Sequence, residues 1–152
     1  MKLRAKKGFS LIEVMLATAI LAFALVGILG TYVTCLVLIT TSQNVNAATN
    51  AAQGIIEEIR STPFTQIIAN YNGMVFTVND IPSSVGVVYI NNTTVPASSD
   101  LFEATVSICW RQGNKVIGED TNLNGLLDAG EDKNGNGIID STVQLKTRVV
   151  RT

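Results

Sequence analysis

The chain has 152 residues, 47% of them hydrophobic, a mean hydropathy of +0.32 and a net charge of −1. That length supports one domain with a modest core. The absence of a basic patch beyond residue 8 excludes a nucleic-acid footprint. The absence of histidine removes the commonest general base and zinc ligand. No glycine-rich phosphate loop follows a strand pattern, Ser and Thr lack a base partner, and Glu57 and Glu58 read as a solvated helix face, so a non-enzymatic role is expected.

Residues 1–8 form a basic leader with Lys2, Arg4, Lys6 and Lys7; the other 144 residues carry seven basic and twelve acidic side chains. From Phe9 to Ile39 there is a single charged residue, Glu13, in 31 positions. About 20 apolar residues cross a membrane, so 9–39 is predicted to span. The leader charges place the N-terminus in the cytoplasm and the bulk outside. A secretory signal would have a shorter apolar core closed by a small-residue site, which is lacking here.

The helix is predicted to continue to Arg60, with 40–60 as an amphipathic half. There Val45, Ala48, Ala52, Ile55 and Ile59 recur on one face. Gly27 and Gly30 loosen the span or permit close helix contact. Pro63 ends the helix. Residues 61–152 then read as a periplasmic or extracellular domain of strands, over 74–78, 85–90, 101–111, 116–117 and 143–149. In 101–111, Phe102, Ala104, Val106, Ile108 and Trp110 alternate with Glu103, Thr105, Ser107, Cys109 and Arg111, which predicts one buried and one largely polar face. The expected fold is α+β: a long N-terminal transmembrane and amphipathic helix packed on a small antiparallel sheet. Cys35 in the helix and Cys109 in a strand read as two buried small apolar residues rather than a disulfide.

The most specific stretch is Lys6-Lys7-Gly8-Phe9-Ser10-Leu11-Ile12-Glu13-Val14. It resembles the class III signal peptide of type IV pilins and of the pseudopilins of type II secretion. The resemblance implies a pilin-like fold, cleavage between Gly8 and Phe9 by a prepilin peptidase, and methylation of the new Phe9 amine. It makes Glu13 the fifth mature residue, where the family keeps a glutamate. A carboxylate in hydrocarbon costs about 3 kcal/mol or more, so Glu13 is a functional candidate; its natural partner is a Phe9 amine, and a role in assembly is the expectation. Gly30 stands where many pilins have proline, and the C-terminal region lacks the cysteine pair of many major pilins. Both departures count against a major pilin and leave minor pilins and pseudopilins open.

The second informative segment, 119–140, holds six acids against Lys133. An EF-hand-type loop takes oxygen ligands at positions 1, 3, 5, 7, 9 and 12 around a glycine at 6. Asp120, Asn122, Asn124, the Leu126 carbonyl, Asp128 and Glu131 fill them, with Gly125 at the sixth. Twelve residues on, Asp132, Asn134, Asn136, Gly137, Ile138 and Asp140 repeat the pattern, but Val143 stands where the glutamate would be. The second loop is the weaker site or borrows a ligand. Hard oxygen donors suit Ca²⁺, one ion and then a second. Without metal the acids repel and the segment offers no apolar material to fold around.

The segments Trp110–Asn114 and Gly118–Gly125, with the N-terminal helix, resemble pilus-modification (PilV-type) minor pilins. That resemblance implies a low-abundance subunit of a type IV pilus, in the inner membrane and then in a filament. It also implies other pilins or pseudopilins, the prepilin peptidase and an inner-membrane assembly platform as partners, with no nucleic acid and no small-molecule substrate. A minor pseudopilin of type II secretion and a calcium-dependent adhesive module displayed on a filament are the alternatives.

Overall fold

The unbroken apolar run becomes α1 (Leu11–Ser61), one helix of 51 residues. In the computed structural model, residues 8–91 and 100–151 are described; the leader charges Lys2, Arg4, Lys6 and Lys7 lie outside them. The chain forms two compact units, Met1–Thr40 and Thr41–Thr152.

In the first unit every described residue is exposed. This part of α1 is long and apolar enough to cross a membrane, and none of its apolar window is buried. Its threonine hydroxyls turn inward on the backbone: Thr31 donates to the Gly27 carbonyl and Thr34 to the Gly30 carbonyl, each at 3.0 Å. Such bonds hide polar groups that hydrocarbon could not satisfy. Cys35 is exposed with its neighbours, so the expectation of two buried cysteines holds only for Cys109; both are free.

In the second unit the remainder of α1 buries Ala48, Ala52, Ile56 and Ile59. Ile56 takes the central place expected for Ile55, which packs at the flank. Position 56 lies four after Ala52 and three before Ile59, on the centre of a 3.6-residue stripe. Beyond Pro63 the chain does not go directly into strands. It forms α2 (Phe64–Tyr71), burying Ile67 and Tyr71. The Tyr71 hydroxyl donates to Glu58 Oε1 at 3.0 Å and fastens α2 to α1.

Among the described residues five antiparallel strands follow: β1 (Val75–Phe76), β2 (Ser84–Asn91), β3 (Leu101–Gln112), β4 (Lys115–Ile117) and β5 (Val143–Val150). The long β3 is central. It pairs with β2 on one side and with β4, then β5, on the other. Trp110 lies opposite Ile117, and Ile108 opposite Val143. Gly86 of β2 leaves room for the Phe76 ring of β1, which any Cβ would strike.

The helix side of the sheet carries the main core, including Phe102, Ala104, Val106, Ile108 and Trp110. The other face is not the polar surface that alternation predicts. Thr105, Ser107 and Cys109 are buried as well. The segment between β4 and β5 folds back onto Cys109, where a second cluster joins Val85, Val87, Cys109 and Ile139, flanked by Tyr89, Leu123 and Leu127. The acidic segment therefore does hold apolar material of its own.

Candidate functional site

At the leader junction, Gly8 has open space around it and Phe9 is 85% exposed. Helix α1 starts just beyond. Glu13 Oε2 accepts the Ser10 backbone N–H at 3.2 Å, the glutamate half of a capping box. Among the described residues no lysine or arginine pairs with this carboxylate. Phe9 and Glu13 thus occupy the start of one exposed apolar helix, with a single peptide N–H against the carboxylate.

The other constellation is the insertion between β4 and β5. Its first loop is organised around Asp120, whose residue is fully buried. Asp120 Oδ1 accepts the N–H groups of Leu123 and Asn124, and Oδ2 accepts Gly125 N–H at 2.7 Å. Asn122 and Asn124 send their amides to Asp128 Oδ2 at 2.7 and 2.9 Å. Glu131 closes the loop: Oε1 accepts Thr121 N–H at 2.7 Å, and Oε2 accepts Asp128 N–H at 3.1 Å. The bond from the Thr121 hydroxyl, at 2.6 Å, is the leading cause that holds the Glu131 carboxyl below its ordinary value.

The second loop repeats this frame. Asp132 Oδ1 accepts Gly135 and Asn136 N–H, and Oδ2 accepts Gly137 N–H at 2.9 Å. Asn134 and Asn136 send their amides to Asp140 Oδ2. The backbone matches too. Gly125 and Gly137 have φ of 78° and 76°. Leu123 takes φ 60° where the second loop has Gly135 at 72°. A leucine there costs about 1–2 kcal/mol, and the packing of Leu123 on the second cluster offsets it.

Every side chain expected as a ligand is thus gathered in two adjacent loops, and the Leu126 and Ile138 N–H groups bond Asn124 and Asn136 within them. Among the described residues no three Asp, Glu, Cys or His side chains close on one point. The donor sets are instead mixtures of carboxylate, amide and carbonyl. One residue that the ligand spacing missed is Glu119. It is buried, with Oε1 accepting Lys133 N–H at 3.2 Å and Oε2 accepting Asp140 N–H at 3.1 Å. Its signal in the sequence is the pair Glu119-Asp120, which returns twelve residues later as Glu131-Asp132.

No curated protein and no solved structure matches the chain. The family described as the prokaryotic N-terminal methylation motif matches residues 3–29, which contain the Gly8–Phe9 junction, Glu13 and the first half of the apolar run. That motif implies processing by a prepilin peptidase and assembly with other pilins. The match and the exposed apolar helix are consistent with membrane anchoring, and the motif indicates a type IV pilin-like or pseudopilin protein.

Proposed function

We propose that the chain is a minor pilin: a non-catalytic subunit cut between Gly8 and Phe9, methylated on Phe9, and carried by its apolar helix from the inner membrane into a type IV pilus. The observation that carries this reading is the methylation motif running directly into an apolar stretch of helix in which every described residue up to Thr40 is exposed. Such a surface needs lipid before assembly and neighbouring helices after it. Glu13 is the one charge on that surface from Phe9 to Ile39. A Phe9 amine, freed by cleavage, is its complement at the same depth, and the amine of an incoming subunit sets axial register.

The test is mass spectrometry of filaments sheared from the native cell. A peptide beginning at N-methylated Phe9 is expected there. The Glu13→Gln variant should be cleaved normally but fail to enter filaments. Processed protein confined to the membrane fraction would replace this reading with a type II secretion pseudopilin, and an uncleaved leader would sink both.

The same proposal includes calcium in the insertion. The donor chemistry fits: Asp120, Asn122, Asn124, Leu126, Asp128 and Glu131 would hold one ion, and Asp132, Asn134, Asn136, Ile138 and Asp140 a second, all through hard oxygens. Asp120 and Glu131 are buried carboxylates, yet among the described residues neither meets a lysine or arginine. Buried charge without a counter-ion is costly, and a divalent cation would supply it. The bound ion stiffens the insertion against the sheet.

A further inference from the structure

We propose that Glu119 is the missing closing ligand of the second loop, so that the repeats 119–130 and 131–142, each counted from its glutamate, exchange closing carboxylates. The proposal rests on the calcium reading above and specifies how the second site is completed. In the first loop the closing glutamate, Glu131, touches two backbone groups: the N–H of the second position, Thr121, and that of the ninth, Asp128. In the second loop those positions are Lys133 and Asp140. Their N–H groups are held by the two oxygens of Glu119, in the same order. The chain position that should supply this group, Val143, is instead a core residue 5% exposed.

The burial matches as well, at 8% for Glu119 and 5% for Glu131. Like Glu131, Glu119 meets no lysine or arginine among the described residues. If Glu119 only stapled backbone, a neutral group would serve without the cost of a buried charge. The carboxylate makes sense where a cation completes the set. Each repeat begins with the glutamate that closes the other's loop: Glu131 completes the loop begun at Asp120, and Glu119 reaches past that loop to the one begun at Asp132. The exchange makes each site depend on both repeats, which one isolated loop could not provide.

Calcium stoichiometry of the full chain in detergent micelles tests this by equilibrium dialysis. Wild type should bind two ions, and Glu119→Gln and Glu131→Gln one each. Asp132→Asn should lose the same ion as Glu119→Gln, and the double variant no more. A purely structural staple would weaken folding but leave two ions bound. A second measurement leaves Glu119 in place. In the Glu131→Gln chain the ¹³C carboxylate resonance of Glu119 should shift with the single remaining ion. Two ions on Glu119→Gln, or a still Glu119 resonance, would overturn the exchange while calcium binding stands. One ion on wild type with the second loop empty would overturn it equally. No ion on wild type would instead remove the calcium reading beneath it.

Discussion

Ile139→Ala should weaken the packing of the insertion on the sheet. Ile139 is fully buried between Val85, Val87 and Cys109. Its own N–H meets the Tyr89 hydroxyl at 3.1 Å, a contact the substitution leaves in place. Truncating a buried isoleucine to alanine costs about 2–5 kcal/mol, depending on how far the site collapses. The flanking Tyr89, Leu123 and Leu127 are only partly buried and can close in, which puts the loss near 3 kcal/mol. For a unit of this size that is a fall in Tm of about 12 °C. The assay is unfolding of the full chain in detergent with chelator present, followed by the fluorescence of its single tryptophan, Trp110, which is 1% exposed. The urea midpoint should move while the slope stays constant. Leu126→Ala is the internal comparison: it lies in the same insertion but is 62% exposed, so its effect should stay within about 0.5 kcal/mol. Equal losses from the two substitutions, or none from Ile139→Ala, would refute the second core.

Gly118→Ala should cost about 2–4 kcal/mol, because φ is +112° and the new Cβ would meet Cys109 and Ser141; Gly130→Ala, at φ +90° with open space, should lose only the backbone part. Thermal unfolding of both variants checks the difference. Glu131 gives the acid response of the chelated chain. Its folded-state value lies below the ordinary 4.5, so the stability it contributes is present above that pH and is lost as pH falls through the depressed value. Urea midpoints taken downward through this range should fall less in Glu131→Gln than in wild type, and parallel curves would show that the carboxylate is not the source.

Period and spacing carried the parts of the fold that local pattern decides. An apolar run with one charge could only be α1, and Phe102 to Trp110 could only be a strand. Helix α2 was not legible. Phe64, Ile67, Ile68 and Tyr71 are as much at home in a strand, and only the burial of Ile67 and Tyr71 settles the helix. The second face of β3 was misread for a similar reason. That face looks solvated until Ile139, thirty residues beyond Cys109, packs on Cys109 together with Val85 and Val87. In the insertion, ligand positions followed from a fixed spacing, so they could be assigned one by one. Glu119 escaped because it precedes its loop, and the two N–H groups it holds lie 14 and 21 residues further on.

The register around β3 has one more consequence. The insertion leaves the sheet after Ile117 and returns at Val143, opposite Trp110 and Ile108 of one strand. Its two ends are therefore only about 7 Å apart along β3, two residues of extended chain. A segment with such close ends can be lengthened, shortened or exchanged during evolution without moving the hydrogen-bond ladder on either side. The sheet serves as a socket, and the face that β2 and β3 present there can be fitted with a different cap in another chain of the same architecture.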